Sequence, residues 1–298
     1  MLKYLVLGAT GLLGSKLFEL LEGCHGTYYK TVTGPNTRLH YLNSSNIVSL
    51  HKLVDEIQPN VIINCIGFSN VDQCEFFPEK NWRLNCWLPF ELAKFCEVNS
   101  LKYVHISTDH FLNLRQLKLK EEYPVEAINQ YGLAKLSGEK SILSLSSDAI
   151  IIRTNFFHFN TNSVRSFVDK LLKDNLRSKT TSSFSDVYFT PVSTTVLAEY
   201  IVKLVHSNFS GLINVSSNES ISKFNFHNLI LKSFGRNLEI HKSVSIDFAT
   251  LEAPRPKNMS LDNSLLKSLD LYNTPSIYDM IAREVKTLDR SGLNQNEE

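Results

Sequence analysis

Tyr4-Leu5-Val6-Leu7-Gly8-Ala9-Thr10-Gly11-Leu12-Leu13-Gly14 opens the chain with an apolar run, a glycine turn and the start of an amphipathic segment. Four consecutive apolar residues suit a strand covered on both faces. In such a turn Gly8 admits the tight bend, Gly11 lets the backbone approach a ligand without a Cβ in the way, and Gly14 lets the new helix lie close to the strand. Free amides at the helix start then face an anion. A strand, glycine turn and helix in this order is where a dinucleotide pyrophosphate binds, and Gly8, Thr10, Gly11, Leu12, Leu13 and Gly14 are its expected contacts. Such turns also occur for structural reasons alone, so the reading depends on the rest of the chain.

The 298 residues, 43% of them hydrophobic, suffice for one large α/β domain with a smaller lobe. Thirty-one basic and 30 acidic side chains nearly cancel, and no block of like charge points to nucleic acid or a membrane surface. No apolar run reaches the roughly 18 to 20 residues of a membrane span. Lys3 and the apolar stretch after it imitate a secretory leader, but that stretch runs into the glycine turn and an amphipathic segment. The five cysteines form no C-x-x-C pair and leave an odd one over. Neither a disulfide framework nor a metal site is expected, and reduced thiols fit a cytoplasmic protein.

Apolar, β-rich runs at residues 2–7, 27–32, 61–66, 103–107 and 149–153 alternate with helical patterns at 12–21, 47–57, 78–98 and 131–145. That alternation predicts a Rossmann-like doubly wound parallel sheet of the α/β class. After residue 155 the pattern loosens into Ser/Thr/Asn-rich pieces between helices at 193–206 and 277–288. Residues 1–155 are therefore read as a dinucleotide-binding domain and 156–290 mainly as a smaller C-terminal substrate lobe, some of whose elements return to the first domain. Residues 291–298 read as a polar tail.

Tyr131 and Lys135 stand four residues apart, one turn apart on the same helix face. A nearby ammonium favours the phenolate, so Lys135 is expected to lower the Tyr131 pKa from about 10 and fit it for proton transfer. Roughly one such pair arises by chance in a chain of this composition. Order strengthens it: Ser107-Thr108-Asp109 ends an apolar run, and ligands bind at strand C-termini in such sheets. Thr108 supplies a hydroxyl for the same substrate oxygen.

With the G-x-x-G-x-x-G spacing, these elements make the chain resemble the extended short-chain dehydrogenase/reductase family, most closely its dTDP-4-dehydrorhamnose reductase branch. Pro59-Asn60-Val61-Ile62-Ile63-Asn64-Cys65 is similar to that branch's P-D-V-V-I-N-A, and Val71-Asp72-Gln73-Cys74-Glu75 to V-D-x-A-E. Asn129-Gln130-Tyr131-Gly132 with Lys135, Gly138 and Glu139 is similar to N-x-Y-G-x-x-K-x-x-G-E. Ile152-Arg153-Thr154, Thr190-Pro191 and Arg255-Pro256 with Leu261-Asp262 complete a likeness that spans nearly the whole chain.

The resemblance implies NADPH-dependent reduction of a nucleotide-linked 4-keto-6-deoxy sugar, with Thr108, Tyr131 and Lys135 catalytic. Tyr131 gives the proton, Lys135 also holds the nicotinamide ribose, and Thr108 bonds the ketone oxygen. Cys65 and Ile66 line the adenosine side of the cofactor groove, and Asn43 takes the place of an aspartate that contacts adenine. Asp109, His110, Phe156 and Arg255 fall at substrate positions, two of them as departures: His110 replaces a tyrosine and Phe156 a tryptophan. Each has a plainer alternative. Asp109 contacts substrate or caps its loop, His110 faces substrate or bonds nearby backbone, Arg255 binds the diphosphate or braces a carboxylate, and Phe156 stacks on substrate or joins the core. Arg153 reads as one half of a structural salt bridge.

No acid lies between Glu22 and Asp55, where an NAD-selective fold places the group that bonds the ribose 2′-hydroxyl. Lys30 and Arg38 stand in that window instead, so NADPH is expected over NADH, although NADH remains possible. Two rival readings stay open: a sugar-nucleotide epimerase or dehydratase on the same scaffold, and a non-catalytic regulatory subunit like that of methionine adenosyltransferase. The absence of Glu after Thr108-Asp109 argues against dehydration. The partners expected are a nucleotide-sugar substrate and at most a second copy of the chain, as a monomer or homodimer.

Overall fold

A computed structural model describes residues 2–30, 36–43, 47–113, 118–146, 148–159, 166–271 and 273–290. Its centre is a seven-stranded parallel sheet: β1 (Tyr4–Leu7), β2 (His25–Tyr28), β3 (Leu39–Tyr41), β4 (Val61–Asn64), β5 (Lys102–Ile106), β6 (Ile150–Arg153) and β7 (Gly211–Asn214). The strands lie in the order β7-β6-β5-β4-β1-β2-β3, so the direction of winding reverses beside β1. That reversal is where such sheets open a crevice for ligands.

Alternate residues of the central strands feed two separate cores, as the pleat requires. Val6, Ile63, Val104 and Ile152 face helices α1 (Leu12–Leu20) and α6 (Thr194–His206), labelled in chain order. Leu5, Ile62, Tyr103 and Ile151 face α2 (Ile47–Ile57), α3 (Leu88–Val98) and α4 (Gln130–Leu145). The doubly wound sheet expected from the alternation of elements is therefore present, and α6 and β7 show C-terminal segments returning to it.

Three local expectations change. The second strand begins two residues early, at His25, and ends at Tyr28; residues 31 and 32 lie outside the described residues. The single helix expected over 78–98 is three pieces, Pro78–Trp82, a π-helical turn Arg83–Trp87, and α3. Pro89 has no N–H to give the Asn85 carbonyl, and the Leu88 N–H reaches back five residues to Arg83 instead. Strand β7 hides in sequence because Gly211-Leu212-Ile213-Asn214 is too short to show a period. The expected polar tail, 291–298, also lies outside the described residues.

Three further helices, α5 (Phe167–Leu176), α7 (Lys223–Ser233) and α8 (Ile277–Arg290), accompany short strands. Thr181–Phe184 pairs in parallel with His241–Val244. Phe157, Phe189 and Phe226 cluster edge to face beneath them and join the larger core.

Candidate active site

The glycine turn is a rigid backbone device. Gly8 has φ +78°, and its N–H bonds the Thr27 hydroxyl at 3.0 Å while the Ala9 N–H bonds the Thr27 carbonyl at 2.8 Å, tying the turn to β2. A Cβ on Gly14 would lie 2.2 Å from the Gly8 carbonyl oxygen, so only glycine lets α1 start so close to β1. No side chain caps α1, and the amides of Leu12 and Leu13 have no acceptor within their own helix. Leu13's side chain is in the core, which leaves only its backbone facing outward.

Around this turn the ends of β2, β3 and β4 converge. Lys30 is exposed just beyond β2, and half-buried Asn43 follows β3. Cys65 and Ile66 follow β4, with Ile66 held by a bond from its N–H to the Asn64 side chain and placed against Gly8. Burial pushes the Cys65 thiol up to about 12, so it serves as neutral lining. Arg38 is different: it precedes β3, its guanidinium bonds the Cys24 carbonyl at 3.4 Å and stacks on Phe18. Because the strands are parallel, that is the opposite edge of the sheet, and Arg38 is removed from the phosphate window.

At the end of β5, Thr108 lies next to the Tyr131 phenol and acts on its ionisation, both side chains being buried. Helix α4 reaches the Thr108 loop because residue 132 is glycine; a Cβ there would come within 2.9 Å of the His110 carbonyl oxygen. Asn129 caps the helix by accepting from the Gly132 N–H at 2.8 Å, and the Glu75 carboxylate accepts from the Gln130 N–H at 2.8 Å. Lys135 lies on the same buried face and donates to the Ile106 carbonyl at 2.9 Å.

The expected lowering of the Tyr131 pKa is not what the structure shows. Burial raises it above the ordinary value, the neighbouring Thr108 hydroxyl opposes this only partly, and Lys135 is turned toward Ile106. The phenol is thus protonated at neutral pH. Burial likewise brings Lys135 down to about 8, against the attraction of Glu139.

Glu139 stands one turn further along α4 and takes a bidentate grip from Arg153, at 2.7 and 3.0 Å, and a bond from the Ser107 hydroxyl at 2.5 Å. This is the structural salt bridge expected for Arg153, and it binds α4 to β6 and to the residue before Thr108. Asn85, in the π turn, bonds both the N–H and the carbonyl of Phe68 and also the Asn81 side chain. Neither asparagine stands out in sequence; the Pro89 interruption is the one visible signal.

Beside Tyr131 opens a cavity of about 420 Å³ whose wall includes His110, Asn155, Phe167, Lys223, His227 and Arg255. His110 sits edge to face with Tyr131 at 5.7 Å, and its Nε2 has no partner, so it faces the site rather than bonding nearby backbone. Asp109 is buried and its carbonyl accepts from the Phe111 N–H within its loop, while its carboxylate accepts a 2.8 Å bond from Asn155 and is raised to about 6 by burial, with Lys223 pulling the other way. Arg255 lines the cavity but also braces a carboxylate, Asp72, at 2.8 Å. Phe156 is not brought to this wall. Its strand alternates, Phe157 is fully buried, and Phe156 lies half-buried against the larger core, leaving Asn155 and Phe167 to form the wall. Lys223, His227, Asn155 and Phe167 carried no sequence signal, since they come from segments without recognisable spacing.

A glycine turn at the winding reversal, with Tyr, Lys and Thr gathered at the next strand ends, defines an α/β fold of the extended short-chain dehydrogenase/reductase class. Within it, the model of the RmlD substrate binding domain matches residues 2–289, and the chain belongs to that family. A probable low-salt glycan biosynthesis reductase of Haloferax volcanii is 27% identical over 285 residues, 93% of this chain and 95% of that protein. The dTDP-4-keto-6-deoxy-D-glucose reductase of Streptomyces niveus is 30% identical, covering 72% of this chain and 73% of its own. Methionine adenosyltransferase 2 subunit beta of Rattus norvegicus is 25% identical, covering 90% and 83%. Among solved structures, dTDP-4-dehydrorhamnose reductase of Bacillus anthracis in complex with NADP superposes with a TM-score of 0.83 at 25% identity, covering 96% and 99%.

Proposed function

We propose that this protein is an NADPH-dependent reductase of a nucleotide-linked 4-keto-6-deoxy sugar, acting in the cytoplasm in the synthesis of deoxysugar or polysaccharide precursors. The observation that carries the reading is the burial of Thr108, Tyr131 and Lys135 together at the end of β5, with His110 standing between Tyr131 and a cavity of about 420 Å³. The residues suit the cofactor. Gly8, Thr10, Gly11, Leu12, Leu13 and Gly14 would cradle its pyrophosphate, Lys30 its 2′-phosphate, and Asn43, Cys65 and Ile66 its adenosine. Gly67 puts bare backbone beside Lys135 Nζ, and a Cβ there would come within 3.2 Å of Asn85 Oδ1.

Bound NADPH supplies the hydride. Thr108 and Tyr131 hold the ketone oxygen between their hydroxyls, and Tyr131, protonated because it is buried, gives its proton to that oxygen. Lys135, fixed on the Ile106 carbonyl, would hold the nicotinamide ribose. The cavity wall holds the sugar and its diphosphate, with residues 156–290 supplying most of it.

Likeness to methionine adenosyltransferase 2 subunit beta favours a second reading, a non-catalytic subunit that binds the cofactor. The complete Thr108, Tyr131 and Lys135 set speaks for catalysis. The experiment is to mix the protein with NADPH and dTDP-4-keto-6-deoxy-D-glucose and follow cofactor oxidation. Steady turnover supports the reductase; tight NADPH binding with no oxidation across a panel of such sugars favours the regulatory subunit.

A further inference from the structure

Asn129 uses both ends of its side-chain amide. Its Oδ1 accepts the Gly132 N–H at 2.8 Å and caps α4, the helix that carries Tyr131 and Lys135, while its Nδ2 donates to the Pro254 carbonyl at 2.8 Å. A backbone N–H can only donate and a carbonyl can only accept, so the two partners fix which way the buried amide points. Of the side chains that cap helices well, Asn alone has an acceptor and a donor at this reach: Asp has no donor, and the Ser hydroxyl is too short to cap α4 and hold Pro254 together.

What the second bond holds is Arg255. That residue stands between Pro254 and Pro256, whose rings fix their own φ and restrict the residue before them. The segment is therefore stiff, and a hold on the Pro254 carbonyl is felt at Arg255. Its other fixings come from the short helix Val71–Phe76. Asp72 Oδ1 accepts from the Arg255 guanidinium at 2.8 Å and from the Ala253 N–H at 3.2 Å, and the guanidinium also donates to the Ala253 carbonyl at 2.7 Å. Three residues on, Glu75 accepts the Gln130 N–H next to Asn129. Residues 253–255 and the first turn of α4 are thus pinned to the same short helix and, through Asn129, to each other. A guanidinium has five N–H groups, so these bonds orient Arg255 without exhausting it where it lines the cavity.

We propose that Asn129 is a positioning residue for Arg255, setting where the cation that meets the substrate's diphosphate stands relative to the helix that carries the reacting phenol. Its Oδ1 serves Tyr131 through the helix cap, and its Nδ2 serves the seating of the substrate through Pro254. The two roles can be separated by substitution. The inference rests on the reductase reading for the identity of the ligand, and its test is made in binding as well as turnover.

The experiment is a double-mutant cycle on wild type, Asn129→Ser, Arg255→Ala and the double variant. It measures Kd for dTDP-4-keto-6-deoxy-D-glucose by calorimetry with NADP bound, KM and kcat by NADPH oxidation, and the denaturant midpoint. Serine keeps a capping hydroxyl and gives up the reach to Pro254. Asn129→Ser should weaken sugar binding roughly five- to tenfold, as expected for one hydrogen bond, with the loss in KM rather than in kcat or the denaturant midpoint. In the Arg255→Ala background the same substitution should cost less than about twofold, because the residue it positions is gone. An unchanged Kd in Asn129→Ser, equal weakening in both backgrounds, or a loss confined to kcat overturns the proposal. If Asn129→Ser does not fold, Asn129→Asp keeps a cap, lacks the donor and carries the same cycle. Binding of the sugar without turnover leaves the cycle readable in Kd and overturns only the reductase reading. Failure of wild type to bind it overturns both.

Discussion

Residues 4–14 and the cavity wall face the same edge of the sheet but are made of different materials. The first is one contiguous segment whose recognition surface is backbone: a φ of +78° at Gly8, uncapped amides at α1, and a helix brought close by Gly14. The second is side chains from separate segments, with buried His110 and half-buried Lys223, His227 and Arg255 lining one cavity and buried Asp109 held by Asn155. Backbone amides accept any diphosphate of the right shape. Side chains can discriminate, so under the proposed function selectivity among substrates would belong to the second region and generic cofactor binding to the first.

The sharpest division between the regions comes from Tyr131→Phe, which deletes one hydroxyl and little volume. Turnover should fall by roughly 10²–10⁴-fold while NADPH affinity, followed by fluorescence, stays within a few-fold. Because burial raises the Tyr131 pKa rather than lowering it, wild-type activity should not decline through a tyrosine titration near neutrality. A decline with a midpoint below pH 7 that disappears in Tyr131→Phe would show that the phenol is tuned downward after all.

Within the backbone-built region two glycines should part company. Gly14→Ala drives a Cβ into the Gly8 carbonyl and should cost about 3 kcal/mol or more in denaturant melts. Gly11→Val meets that carbonyl only at 3.3 Å, so the fold should survive while NADPH affinity drops at least about tenfold. Unchanged affinity in folded Gly11→Val would place the dinucleotide elsewhere.

Acid should find the side-chain-built region first. Burial holds His110 and His227 down to about 3, below the unfolded 6.5, so their neutral forms stabilise the fold fully above pH 6.5. That stability is lost as pH falls from 6.5 toward 3. Asp109 works in the other direction: raised to about 6, it adds stability at low pH that disappears as pH rises through 6. The net loss between pH 7 and pH 5 should be about 3 kcal/mol, read from denaturant midpoints. His227→Gln should flatten the dependence, and a slope unchanged by it would mean that other groups carry the acid sensitivity.

The smallest effect is expected at Lys30, exposed beyond β2. Lys30→Asp should shift the ratio of NADPH to NADH affinity roughly tenfold toward NADH. The same substitution at Arg38, on the opposite edge of the sheet, should leave the ratio alone.

The elements that could be read in advance share one property: their residues are neighbours in the chain. Gly8, Gly11 and Gly14 belong to one turn, and Tyr131 and Lys135 to one turn of helix, so spacing alone places them together. The near-continuous apolar runs of β1, β4 and β6 declare burial on two faces and with it the doubly wound sheet. What the chain does not announce is anything that depends on two distant segments meeting. Lys223 lies in Ser222-Lys223-Phe224-Asn225, an unremarkable helix start, and becomes a site residue only when α7 brings it to the same cavity wall as His110, more than a hundred positions away. Arg255 could be assigned to a phosphate or a carboxylate until the fold put Asp72 within 2.8 Å of it. Even the Tyr131 pKa was misjudged for this reason: the attraction of a cation four residues away is local and visible, whereas desolvation is the sum of everything packed around the ring. By itself, then, the sequence determined the glycine turn, the Tyr131–Lys135 pair on one helix face and the class of fold, because short-range geometry specifies them. Only the tertiary structure decided which charges face the cavity, since burial and long-range pairing exist only once the chain has closed on itself.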